Sequence, residues 1–189
     1  VTVVFSDGTN TVTKNATVAT NSWTISTTPA DIAALTDGTI TITANVSDVA
    51  GNAATQASQN ITLDNATPSA PSNAIDLAAG SDSGTNTDNL TNDTTPTVRV
   101  DLTGTNAADG DTLELLLGGV SLSTPVTKTL NSTDITNNYV DLTTGAHLGS
   151  DGAKVFTAKV TDVAGNVGSA GGSLTVTLDT AAAITITDP

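Results

Sequence analysis

The sequence predicts an all-β chain of tandem sandwich domains, and three observations predict it. First, one segment occurs twice: residues 37–52 read DGTITITANVSDVAGN and residues 151–166 read DGAKVFTAKVTDVAGN. Asp37 and Asp151, Asp48 and Asp162, and Asn52 and Asn166 each lie 114 residues apart. A period this long repeats a domain, not a solenoid turn. Second, short runs rich in Val, Ile, Thr and Leu recur between Gly, Asp and Asn, the composition of strands bounded by turns. Third, helical patterning is nearly absent. The exception is residues 29–35, where Pro29 and the alanines after it predict one short helical turn.

The strands follow in order. Residues 1–6, 39–48, 59–64, 97–103, 112–117, 155–162 and 173–179 carry the strongest signals. In the second of these Ile40, Ile42, Ala44 and Val46 alternate with Thr39, Thr41, Thr43 and Asn45. Leu174, Val176 and Leu178 alternate likewise with Thr175 and Thr177. Such period-two patterning describes a strand with one buried and one wet face. The Val-Ala-Gly-Asn tetrads between these strands read as tight turns, with Gly51 and Gly165 supplying the positive φ.

Residues 74–180 accommodate a complete domain. Its first strand falls near residues 74–78, followed by a long Asp/Asn-rich loop over 80–95 and a strand at 97–103. After a loop at 104–111 come 112–117, a Gly118-Gly119 turn, 120–124, a strand near 127–130, then 139–142, 155–162 and 173–179. Seven or eight short strands in about 105 residues predict an immunoglobulin-like sandwich in architecture, without the Cys…Trp…Cys signature of antibody domains. Residues 1–64 align only with its later part: 1–6 with 112–117, 22–26 with 139–142, and hairpin with hairpin. The first domain is therefore expected to lack its N-terminal strands, which lie either upstream or on another chain. Residues 65–73, with two prolines, read as a short semi-extended linker, and residues 181–189 as the start of a further linker or strand. The chain opens in mid-strand without a visible signal peptide and reads as a fragment.

Composition narrows the function. The net charge is −14, and Glu114 is the only glutamate among the acidic residues. A solvated acidic surface explains the charge in part. Asp, short and stiff, also suits the oxygen cages that hold calcium. The five basic residues are scattered, which disfavours nucleic acid. There is no Cys and hence no disulfide or thiolate chemistry. No apolar run reaches the ~18 residues of a membrane span.

Several segments in combination resemble a known family. These are Leu-Asp-Asn-Ala-Thr-Pro over 63–68, the stretch from Asp82 through Asp88 and Asp93 to Pro96, and the Asp-x-Ala-Gly-Asn hairpins. They resemble the bacterial Ig-like repeats of giant RTX-type, biofilm-associated surface adhesins exported by type I secretion. The resemblance covers the second domain entirely and the first from its third strand. It implies an extracellular stalk of head-to-tail domains on the bacterial surface, rigidified by Ca2+ near the junctions. No adhesive tip and no glycine-rich nonapeptide repeats are visible here.

Two metal sites are expected from sandwich topology. The hairpin with Asp162 and Asn166, and the loop with Asp109 and Asp111, should share the pole facing the linker that starts at Asp64. These carboxylates could together supply part of the six to eight oxygens calcium takes. The other role open to Asp48 and Asp162 is bonding of backbone amides in their own turns. The second candidate is the loop from Asp82 to Asp93. Asp82, Asn86, Asp88 and Asp93 fall at positions 1, 5, 7 and 12 of a twelve-residue window, with Asp151 near the same pole. Thr87 stands where an EF-hand needs Gly, so this loop is not an EF-hand; a polar loop without a metal is its other reading.

Catalysis finds no signature: no G-x-S-x-G, no Cys nucleophile, and one histidine, His147, in a Gly-rich loop where a surface role is expected. Trp23 and Tyr139 fall at equivalent places in the repeat, which predicts a core or core-edge role. The leading expectation is a stalk whose partners are neighbouring repeats of the same protein. A filament or surface-layer subunit completed by strands of an adjacent subunit, and a ligand-binding adhesive module, are the alternatives.

Overall fold

The computed structural model describes residues 1–20, 22–71, 75–145 and 148–182. The chain divides into two compact units, Val1–Ala66 and Thr67–Pro189.

The first unit holds β1 (Thr2–Ser6), β2 (Thr11–Asn15), α1 (Pro29–Ala33), β3 (Gly38–Asn45) and β4 (Ala57–Leu63). They form one antiparallel sheet in the order β2-β1-β3-β4. Asp7 closes the β1–β2 hairpin. Its Oδ1 accepts from the amides of Thr9 at 2.7 Å and Asn10 at 2.6 Å, while Oδ2 accepts from Thr36 N at 2.7 Å. The short helix α1 forms where Pro29 predicts it. Thr28 caps it, and Asp31 returns the bond to the Thr28 amide at 2.7 Å, a capping box that satisfies orphan donors. Lys14 pairs with Asp31 at 2.6 Å and ties the helix to β2. Val12, Leu35 and Ile40 are the buried cluster, with Phe5, Ile42 and Leu63 packed against it.

The second unit holds β5 (Asp76–Leu77), β6 (Leu90–Thr91), β7 (Thr97–Asp101), β8 (Thr112–Leu117), β9 (Val120–Thr129), α2 (Ser132–Asn137), β10 (Tyr139–Thr143), β11 (Gly152–Thr161) and β12 (Gly171–Leu178). Two sheets face each other, β10-β7-β5 and β6-β12-β11-β8-β9. Alternation fills the space between them. Ile75, Leu77, Val98, Val100, Val140 and Leu142 lie on one side. Leu113, Leu115, Phe156, Ala158, Val160 and Val176 lie on the other. This is the two-layer arrangement that a half-apolar sheet requires to bury its face.

Four expectations from sequence are corrected. Residues 120–124 and 127–130 are not two strands but one, β9, whose register against β8 jumps between Leu115 and Leu116. Pro125, inside the jump, has no amide to give the ladder, and a bulge accommodates it. Helix α2 was not foreseen, although Asn131 and Asp134 form a complete capping box and Asn138 ends it in the left-handed conformation at φ 58°. Residues 22–26 form no strand like β10; apart from the bridge Ala19↔Ser22 they are irregular. In the second unit β10 hydrogen-bonds to β7, and the described residues of the first unit supply no counterpart of β7. Finally, the aspartate hairpins are less tight than expected. The turn closes at Thr161↔Val167, but β12 begins only at Gly171.

That delay lets the entering chain pack against the sandwich. Pro68 and Pro71 are buried, and Ser69 N donates to Thr105 O at 3.0 Å. A Cβ on Gly168 would stand 2.5 Å from Pro68 O, and one on Gly171 would collide with Pro71 O. Both glycines are therefore required by close backbone approach. Gly168→Ala or Gly171→Ala should destabilise the second unit by ~1–3 kcal/mol through overpacking. Gly80→Ala, at a site with open space and no positive φ, should stay within about 0.5 kcal/mol of wild type. Denaturant midpoints read both outcomes.

Candidate functional site

The repeated aspartates build repeated turns. Asp48 Oδ1 accepts from Asn52 N at 2.8 Å and Oδ2 from Asn52 Nδ2 at 2.8 Å. Asp162 makes the same pair with Asn166, at 2.8 and 2.9 Å. Gly51 and Gly165, at φ 91° and 94°, let the chain reverse between them. The Asn side-chain amide is the largest cause, with the Asn backbone amide adding to it, that holds both carboxyls below the usual range.

The other end of each unit repeats as well. Asp37 accepts from Asn65 N at 3.0 Å and from Asn65 Nδ2 at 3.2 Å. Asp151 accepts from Thr180 N at 3.1 Å and from Thr180 Oγ1 at 2.8 Å. Asp64 Oδ1 takes Ala66 N at 3.1 Å and Asp179 Oδ1 takes Ala181 N at 3.2 Å. Each pair stops the last strand of its unit by capturing the amides beyond it.

In the second unit the loop before β8 and the β11–β12 hairpin share one pole: a Cβ on Gly110 would touch Val163 at 3.0 Å. Asp111 is buried there, and its Oδ2 accepts from Ala108 N at 2.8 Å. Asp109 beside it is exposed. At the opposite pole the loop of residues 80–96 is laced to its surroundings. Thr177 N donates to Asn89 O at 2.8 Å, Asp179 N to Thr91 O at 2.9 Å, and Leu148 N to Thr94 O at 3.2 Å. Within the loop Ser81 Oγ donates to Asp93 Oδ2 at 2.8 Å and accepts from Thr97 N at 2.9 Å. Asp93 Oδ1 takes Thr95 N at 2.9 Å, and the Thr91 hydroxyl donates to the Ser81 carbonyl. Asp88 is exposed and accepts from Leu90 N at 3.0 Å.

Asp82 differs from all of these. It is only 5% exposed, and its Oδ1 is enclosed with no hydrogen-bond partner. An enclosed, unpartnered carboxylate oxygen is costly to maintain, and nothing in the sequence distinguishes it from the loop's other aspartates.

Among the described residues no three His, Cys, Asp or Glu side chains gather into a group that could hold a metal. The cation-ligating oxygens available are thus isolated carboxylates, carbonyls and hydroxyls. His147 lies outside the described residues. The basic residues are engaged: Lys14 with Asp31, Arg99 with Asp141, Lys128 with Asp134, Lys159 with Glu114, and Lys154 on the Ser150 carbonyl. Arg99 grips Asp141 through Nε and Nη2, both at 2.7 Å, and lies 4.0 Å over the Tyr139 ring. Tyr139 therefore supports a surface ion pair rather than the core edge, and Trp23 is likewise exposed. Among the described residues no helix is long and apolar enough to cross a membrane.

Facing sheets, a bulged β9 and aspartate-capped poles define an immunoglobulin-like module. The sequence profile of the bacterial Ig-like domain matches residues 1–65 and again residues 69–180. The chain belongs to that family. Among solved structures it is similar to the crystal structure of a tetra-tandem repeat in the extending region of a large adhesion protein. The identity is 22% and the TM-score 0.39, over 95% of this chain and 41% of that one. This chain thus spans less than half of that structure's length. No curated protein matches it.

The lowered carboxyls give a pH expectation. Their turns contribute fully above the ordinary Asp value of about 3.9 and lose that contribution as pH falls through the lower folded value. Carbon-detected NMR titration should place Asp48 and Asp162 below an ordinary aspartate. Asn166→Ala should return Asp162 toward the ordinary value and leave Asp48 unmoved.

Proposed function

We propose that this chain is an extender segment of a large extracellular bacterial adhesin, in which Ca2+ stiffens the succession of Ig-like units. The observation that carries the extender reading is the duplication of the aspartate turns at both ends of each unit. The same aspartates close the same hairpin and stop the same last strand in both units. A module that ends each copy in the same way is suited to be joined head to tail, and length is what such joining produces.

Calcium is supported by a separate observation, the enclosed Oδ1 of Asp82. A hard cation takes carboxylate, carbonyl and hydroxyl oxygens together. Asp82 and Asp93, with backbone carbonyls of the same loop, are the groups that would hold it. Bound there, the ion would supply the counter-charge that Asp82 lacks and fix the loop against the end of β12. Asp162, Asn166, Asp109, Asp111 and Asp64 are further donors proposed for Ca2+.

Small-angle scattering of the chain with calcium and with chelator tests the stiffening. The expected result is a stiff particle in calcium that samples a wider range of lengths once calcium is removed. Identical profiles would remove calcium from the proposal. Asp82→Asn tests the loop by itself. At calcium a hundredfold above its Kd the wild-type second unit should gain ~2.7 kcal/mol. The variant should fold equally well in chelator and show no such gain by thermal melting. An undiminished gain would place the ion elsewhere.

A further inference from the structure

The second unit has a cleft between two strand edges. β9 is the last strand of one sheet and β10 the last of the other. A space of about 380 Å3 lies between them, walled by residues 124–128 and 141–145. The two edges differ in what they offer. On β9, Pro125 has no amide and Lys128 carries a charge, two devices that keep an edge strand from pairing. β10 has neither proline nor lysine.

Hydrogen bonds fix which way the main chain of β10 faces. Thr144 N donates to Pro96 O at 3.0 Å and Leu102 N to Asn138 O at 2.8 Å, so the even-numbered residues of this stretch turn their main-chain groups toward β7. In an antiparallel ladder the residues between them turn N–H and C=O the other way. Asp141 and Thr143 therefore present theirs at the outer edge, with no partner strand among the described residues. The side chains alternate too: Val140, Leu142 and Thr144 are buried, whereas Asp141 and Thr143 are exposed. Thr144 is 0% exposed, and its Oγ1 has no hydrogen-bond partner. A buried hydroxyl without a partner is costly, and this one belongs to a residue of the cleft wall.

We infer that β10 is a docking edge for an extended, uncharged segment of another protein, built of Ser, Thr and other small residues. The segment adds antiparallel to β10 and exchanges main-chain bonds with Asp141 and Thr143. Its alternate side chains enter the cleft: a small apolar one against Leu142 and Val126, and a hydroxyl opposite Thr144 that bonds the unpartnered Oγ1. The occupant is uncharged because both charged side chains of the walls are already paired, Lys128 with Asp134 and Asp141 with Arg99. It is small because five residues on each wall span ~17 Å at ~3.4 Å per residue. About 380 Å3 along that length holds main chain with short side chains. The extender reading places nothing on this edge, so the two stand or fall separately.

The test uses the full chain with the synthetic peptide acetyl-Thr-Ser-Thr-Val-Thr-amide, whose serine falls opposite Thr144 and whose valine falls opposite Leu142. A Kd of ~1 mM or tighter is expected. At ~10 mM peptide, tenfold above that Kd, hydrogen exchange of the Asp141 and Thr143 amides should slow about tenfold, with β11 and β12 amides unchanged. The same peptide N-methylated at its third and fifth residues should give no protection, because those amides face β10. Ala in place of the serine, or Thr144→Val in the chain, should weaken binding about three- to tenfold, as loss of one hydrogen bond does. Thr143→Pro removes an amide that the ladder with β7 does not use, and should abolish binding without unfolding the unit. No slowing at ~10 mM peptide, or equal protection by the N-methylated peptide, would overturn the inference. So would sedimentation showing that the chain alone dimerises and that Thr143→Pro makes it monomeric, since the edge would then belong to a second copy.

Discussion

The second unit depends on the closure of two apolar faces across one thin interior. Among the described residues Phe156 is the only aromatic side chain in that interior; the rest is aliphatic, from Leu113 and Leu115 across to Val98, Val100 and Val140. Aliphatic side chains of nearly equal length let the sheets approach uniformly. They also leave no large group to anchor the register, so the register has to come from the turns. The burial term, ~25 cal/mol per Å2 of apolar surface, stabilises the unit only if every strand presents its alternate residues inward together. This places strict demands on where each strand starts and stops.

Aspartate meets those demands. A carboxylate one carbon from the backbone can accept from amides two to four residues on, as Asp7, Asp48 and Asp162 do, or from the chain beyond a strand end, as Asp37 and Asp151 do. Glutamate, a methylene longer, closes such turns less well, which accounts for its near absence without invoking solubility. The charged residues on the sheet faces do different work: Arg99–Asp141, exposed, and Lys159–Glu114, half-buried, are cross-strand pairs.

The fold was legible wherever a residue's role was local. The duplicated segment, the alternation in β3 and β12 and the Pro29 helix start all rest on neighbours in sequence. Elements that rest on distant partners were misread. Residues 22–26 carry a strand pattern comparable to that of residues 139–142, but a strand needs a neighbour, and only β10 has one. β9 reads as two strands because Pro125 interrupts the pattern, and only pairing with β8 shows the ladder resuming beyond it. α2 carried a local signal, Asn131 with Asp134 three residues on, that lay among so many Asn and Asp that it did not stand out. The candidate site shows the same division. The turn duties of Asp48 and Asp162 follow from spacing, whereas the isolation of Asp82 Oδ1 depends on what packs around it.

That division changes what the repeat can be used to argue. Identical aspartates at identical positions in two units suggest a common ligand, yet each repeated carboxylate already has a sufficient reason to be there in the amides it binds. Asp48 and Asp162 would be selected by the hairpin alone, Asp37 and Asp151 by the strand end alone. Repetition therefore supports tandem construction and is neutral on metal binding. The case for a cation rests instead on an oxygen that no turn accounts for. Asp82 lies in the loop of residues 80–96, for which the first unit offers no counterpart, and its Oδ1 is satisfied by nothing in the protein.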